Sequence, residues 1–242
     1  MRRLFAAAAL GALLAGCAAP SLPPSTTSGP APVIAPPYQA AAQAGRPVYR
    51  LDSAASEVRI LVGRAGPLAS KGHVHVVEAA QLSGYALTAK GGGQADIVFP
   101  LNALVVDAPA ARAALGGLYA EPLTPDQRKA IRAHMLSREA LDSARYPWAH
   151  LHIVAPATAQ GAVKITIALT LHGVTRVLPA TTQLSLDARQ LLASGTFTMR
   201  QSDFGITPYS VLLGALKVAD PLDIRYHLAF DRWCPKQPQP TC

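Results

Sequence analysis

The chain has 242 residues, half of them hydrophobic and 15% charged, and its 22 Lys and Arg against 14 Asp and Glu give a formal charge of +8. The basic residues are scattered rather than clustered, which argues against a nucleic-acid partner and for a mild attraction to anionic lipid headgroups. No CxxC, nucleotide-binding loop, nucleophile elbow or Ser-His-Asp arrangement stands out, so the sequence nominates no catalytic residue and no cofactor.

The first segment sets the compartment. "MRRLFAAAALGALLAGCAAP" begins with Arg2 and Arg3, continues through an apolar run from Leu4 to Leu14, and reaches small residues before Cys17. That is the build of a signal peptide over residues 1–16, too short to serve as a mature membrane span. "LAGC" resembles the lipobox of bacterial lipoproteins. The resemblance implies cleavage before Cys17 and acylation of that residue by palmitate-type chains, the lipid anchor of the mature protein. Three such chains would give stable attachment, where a single chain is marginal. Ala18, standing where an Asp would retain a lipoprotein in the inner membrane, implies the periplasmic side of the outer membrane.

From Cys17 to Pro47 the composition is Pro, Ala, Ser and Thr, with no helical or strand period, and it reads as a disordered tether. At the other end, residues 234–242, "CPKQPQPTC", form a proline-rich tail. With Cys17 acylated, Cys234 and Cys242 are either a disulfide, as an oxidising periplasm allows, or two separate thiols.

Residues 48–233 form one domain in which the period is two. "SEVRILVG" puts Val58, Ile60 and Val62 on one face. "KITIALTLH" sets Ile165, Ile167, Leu169 and Leu171 against Lys164, Thr166, Thr170 and His172. "GTFTMRQ" alternates Phe197 and Met199 with Thr196, Thr198 and Arg200. "PLDIRYHLAF" closes the series with Leu222, Ile224, Tyr226 and Leu228 against Asp223, Arg225 and His227. Strands of this kind between Gly, Pro, Asn and Asp turns predict an all-β sandwich or barrel. One helix interrupts them. Thr124, Pro125 and Gln127 supply an N-cap, a first-turn proline and a capping-box partner for "PDQRKAIRAHML", and such a helix can lie across an open barrel end.

Four stretches, in order, resemble the YceI-like family: "YRLDSAASEVRILV", "HMLSREALDSARYPWAHL", "LTLHGVTRVLP" and "MRQSDFGITPYS". The resemblance implies a lipocalin-like, eight-stranded antiparallel barrel in the bacterial envelope, holding a polyisoprenoid or other amphiphilic lipid in an elongated apolar cavity. The expected lining is Val58, Ile60, Val62, Ile165, Ile167, Leu169, Phe197, Met199, Ile224 and Tyr226. This chain departs from the family pattern in carrying two histidines in "SKGHVHVVEAA", in the insertion-like "RAGPLASKG", and in "VLLGALKVADPLDI".

His73 and His75 are two apart, so in a strand both imidazoles would share a face. His150 and His152 repeat the spacing, and the two pairs together could make a metal site. No HExxH or acidic motif accompanies them, and a polar role at the cavity mouth, or an ordinary partnered strand position, is the expected one. A histidine-based metal protein or metal-dependent enzyme is therefore the alternative, and a ligand-free envelope interaction protein the third. His172-Gly173-Val174-Thr175 reads as a turn. Arg200 and Asp203 either pair to fix the next turn or leave Arg200 for an anionic headgroup.

Overall fold

The computed structural model describes residues 30–89, 91–156 and 160–235. The signal peptide, Cys17, the first part of the expected tether and Cys242 lie outside the described residues.

Alternation of apolar and polar residues builds the sheet. The strands are β1 (Val48–Leu51), β2 (Glu57–Ala65), β3 (His75–Glu78), β4 (Ser83–Ala89), β5 (Gly92–Pro100), β6 (Val105–Val106), β7 (Trp148–Ala155), β8 (Gly161–Leu171), β9 (Val174–Leu186), β10 (Gln190–Arg200), β11 (Ser210–Val211) and β12 (Leu216–Arg232). In β8, Val163, Ile165, Ile167 and Leu169 are buried while Lys164 and Thr166 are exposed, the half-buried pattern of a sheet with one face on a core. A two-residue turn at His172 and Gly173, both at positive φ, joins β8 to β9. Two positive φ values in a row give the tight hairpin turn whose twist matches the strands it joins.

The sheet closes. Strands β1, β4, β5, β7, β8, β9, β10 and β12 form an eight-stranded antiparallel ring, β12 returning to pair with β1. This is the expected barrel. β12 runs for 17 residues. Its last residues pair with β1 (Phe230 with Leu51, Arg232 with Tyr49). Its earlier part pairs with β2 from His227–Glu57 to Lys217–Ala65, with an irregularity between Val218 and Leu222. β2 passes the sheet on to β3 and then β6, which continue the wall below β1.

Among the described residues three α-helices decorate the barrel: α1 (Ala35–Gln43), α2 (Pro109–Leu115) and α3 (Pro125–Leu136). α3 begins on the expected capping box, Gln127 N–H donating to Thr124 Oγ1 and the Thr124 N–H to Gln127 Oε1. α2 packs Ala111 against Leu61 and Val76, and so covers an outer face of β2 and β3.

α1 corrects the reading of a disordered tether through Pro47. Its prolines fall in the first helical turn, where a missing N–H costs nothing. The alanine-rich remainder propagates the helix. Gly45 ends it at φ 73°, with Gly45 N–H donating to the Ala42 carbonyl and Arg46 N–H to that of Ala41, the double bond of a glycine C-cap. Tyr38 and Ala41 are buried with Val48 and Leu87 and pack on Tyr85 and Trp233. Proline content alone was misleading, because position within the segment decides whether a proline breaks a helix.

Candidate functional site

The barrel interior is hollow in two chambers. The larger has a volume of about 450 Å³ and the smaller about 110 Å³. Val58, Phe99, Leu151, Phe197 and Ile224 line both and form the waist between them. The larger chamber falls within the roughly 300–1,000 Å³ usual for small-molecule sites.

The strand periodicity places most of the expected lining. Val58, Phe197 and Ile224 sit at the waist; Ile60, Val62, His75, Leu169 and Met199 wall the larger chamber; Ile165, Ile167 and Tyr226 wall the smaller one. Several wall residues were not anticipated: Leu101, Leu104, Leu141, Ile206 and Tyr209 around the larger chamber, and Leu82, Ile97 and Phe230 around the smaller. From α3, Ile131, His134 and Met135 reach the larger chamber; the spacing of Ile131 and Met135, four apart on one helix face, was the available signal. His134 also meets Tyr209, ring centroids 4.2 Å apart, so helix and strand segment touch at this end of the barrel.

Polar groups are few and each has a definite place. His75 accepts its orientation from Asp107: Nδ1 stands 2.7 Å from Asp107 Oδ2. A carboxylate only accepts hydrogen bonds, so Nδ1 carries a proton and Nε2 is the ring nitrogen left to face the chamber. Asp107 is fully buried. It also accepts from the Val76 N–H (3.0 Å) and from Arg112 Nη1 (2.6 Å). Burial pushes its carboxyl pKa up, but the bonds from His75, Val76 and Arg112 outweigh this and hold it below the usual carboxylate value. Arg112, itself buried, also donates to the carbonyls of Val74 and Glu121. In the smaller chamber the buried Tyr226 hydroxyl faces Thr182. Thr182 beside it directs its own hydroxyl at the Ser194 carbonyl, 3.1 Å away, and burial raises the Tyr226 pKa.

His73 does not join the lining. It precedes β3, so the shared-face argument does not apply, and its Nδ1 instead lies 3.4 Å from Glu121 Oε2. The second histidine pair lies on the outer face of β7, alternating with the inward Leu151. His150 Nε2 and His152 Nδ1 both stand 2.9 Å from Asp96 Oδ1. His75 and the His150–His152 pair therefore lie on opposite faces of the wall, and among the described residues no three His, Cys, Asp or Glu are grouped to hold a metal ion. Arg200 pairs with Asp220 at 3.6 Å rather than with Asp203. Cys234 is disulfide-bonded, to a partner outside the described residues.

Comparison with known proteins places this geometry. The sequence pattern of the YceI-like domain matches residues 49–230. BcnA of Burkholderia cenocepacia is a structural relative with a TM-score of 0.53 at 16% identity, covering 74% of this chain and 98% of BcnA. The Campylobacter jejuni YceI protein aligns at 12% identity and a TM-score of 0.44, covering 65% of this chain and 84% of its own. None of the curated proteins matches by sequence. With a matching pattern across nearly the whole barrel and an apolar cavity inside it, this chain belongs to the YceI-like family of barrels that bind hydrophobic ligands.

Proposed function

We propose that the protein is an envelope lipoprotein that carries a long-chain isoprenoid, or a similar amphiphilic lipid, without transforming it. The observation that carries this reading is the two-chambered cavity with its almost wholly apolar wall. Burying a hydrocarbon chain there contributes about 25 cal/mol per Å², so affinity needs no covalent chemistry. Two chambers that share wall residues suit a flexible chain spanning both better than a single broad ring system. His75 Nε2, at the wall of the larger chamber, suits a hydrogen bond with a hydroxyl on the ligand's polar end.

Cys17 would anchor the chain at the periplasmic side of the outer membrane. Among the described residues no helix is long and apolar enough to cross a membrane; the proposed attachment rests on the "LAGC" stretch alone.

The test is to purify the full chain from its native envelope, extract it with organic solvent and weigh what is released. A long-chain amphiphile near one per protein is expected. An empty extract, together with no uptake of a fluorescent isoprenoid by the purified protein, would overturn the reading.

A further inference from the structure

The stretch "VLLGALK" that connects β11 to β12 turns Leu212 and Leu213 outward. Leu212 is 65% exposed and Leu213 fully exposed. Leu212, Leu213 and Gly214 take φ of 52°, 54° and 87° in succession. Left-handed backbone is costly for leucine, so this conformation holds two aliphatic side chains in water at a cost the fold must offset elsewhere. A second loop supports the first: Leu68 donates its N–H to the Ala215 carbonyl at 2.8 Å, and its own side chain is 40% exposed. The three leucines thus crown one ridge.

The ridge stands beside the cavity. Tyr209 and Val218, which line the larger chamber, are bonded to each other through the Val218 N–H and the Tyr209 carbonyl (2.9 Å) at the base of this loop. The next pair out is Ser210 with Lys217, then Val211 with Leu216. Within the two loops that build the ridge the charged residues are all basic. Residues 64–72 contain Arg64 and Lys71, residues 205–219 contain Lys217, and neither stretch contains an acid. Lys71 and Lys217 are exposed.

We propose that this ridge is a membrane-docking surface, in which Leu212, Leu213 and Leu68 enter the headgroup boundary of an anionic phospholipid leaflet while Lys71 and Lys217 meet its phosphates. Exposed aliphatic side chains ringed by basic ones match an interface that is apolar below and negatively charged above. The docked pose brings the Tyr209 side of the larger chamber to the bilayer. Resting on the carrier reading, it gives a lipid a path from leaflet to cavity that avoids bulk water.

The experiment uses the full acylated chain on phosphatidylglycerol–phosphatidylethanolamine vesicles. A polarity-sensitive fluorophore is placed on L213C and, as a control, on A188C in the exposed β9–β10 turn, which lies at the opposite end of β12. Several-fold quenching by spin-labelled lipid at position 213, none at 188, and weaker quenching at 213 on phosphatidylcholine vesicles are expected. Equal quenching at both positions, none at either, or a spectral shift that follows protein concentration without vesicles would overturn the proposal; the last would assign the ridge to a second copy of the chain. The double variant L212D/L213D, at exposed positions and checked by its melting curve to fold as the parent does, should slow transfer of a fluorescent isoprenoid from these vesicles about tenfold. It should leave uptake from detergent micelles unchanged; equal slowing from both sources would also overturn the docking role. Failure of the parent protein to take up isoprenoid from either source would sink the carrier reading, and the quenching would still decide docking.

Discussion

The Tyr38 hydroxyl donates to Asp96 Oδ2 at 2.7 Å across a separation of 58 residues, tying α1 to the outer wall of the barrel. The other oxygen of the same carboxylate meets both His150 and His152. Burial pushes the Asp96 pKa up, and hydrogen bonds from Tyr38, His152 and His150 bring it below the ordinary value. Burial and this carboxylate together push the Tyr38 phenol well up. Tyr38→Phe keeps the ring packing and deletes the bond. A hydrogen bond to a charged group contributes about 1.5–3 kcal/mol, so the variant should melt lower. Hydrogen exchange should show loss of protection in residues 35–43 before any loss in the strands.

Asp107 makes the sharpest pH prediction. Its folded-state pKa is depressed, whereas an unfolded Asp titrates near about 3.9. The carboxylate therefore stabilises the fold above about pH 4, and that contribution disappears as the pH falls through the depressed folded value. Asp107→Asn should flatten the acid limb of the stability curve. At neutral pH it should cost about 3–5 kcal/mol, since Arg112 is left buried without its counter-charge. Denaturant titrations of both proteins at several pH values measure this directly.

The β8–β9 turn tests close packing at a glycine. A Cβ on Gly173 would lie 2.5 Å from Tyr146 Cε1, while a Cβ on Gly45 would meet nothing within 4 Å, and the two share nearly the same φ (75° and 73°). Gly45→Ala should cost about 1–2 kcal/mol for the left-handed backbone alone. Gly173→Ala should add about 1–3 kcal/mol of overpacking. Equal losses for the two variants would show that Tyr146 moves aside freely.

Ile167 walls the smaller chamber and Leu169 the larger. Ile167→Trp should fill the inner chamber and shorten the longest chain accepted, leaving short isoprenoids bound. Leu169→Trp should weaken binding of every chain length. Each should change the melting temperature little if the added ring enters open space; in a solid core it would cost about 1–3 kcal/mol. A competition series of isoprenoids of increasing length, with melting curves alongside, separates these outcomes.

At the anchor, Cys17→Ser should abolish labelling by radioactive palmitate and leave an uncleaved or mislocalised precursor. Normal membrane labelling of that variant would remove the lipoprotein reading.

Strand faces were legible because period two is a local property: Val58, Ile60, Ile165, Ile167, Phe197 and Ile224 all turn inward as their alternation requires. The capping box of α3 was legible for the same reason. What escaped was long-range. Nothing adjacent to His75 announces Asp107, 32 positions away, or sets His150 and His152 on the outer face beneath α1. The strand rule failed at His73 because β3 starts two residues later. Composition hid α1, since a proline count ignores that Pro36 and Pro37 open the helix instead of interrupting it.

The last strand also fixes when the protein can fold. β12 pairs with β1, β2, β10 and β11, so four earlier strands lack a neighbour until residues 216–232 arrive. Contacts between the first and last strands are the slowest kind to form, because a long loop must close before they reward it. An incomplete chain therefore has no barrel. The same delay leaves open strand edges and an unfilled apolar lining exposed together, which makes the interval before β12 docks the period of greatest aggregation risk.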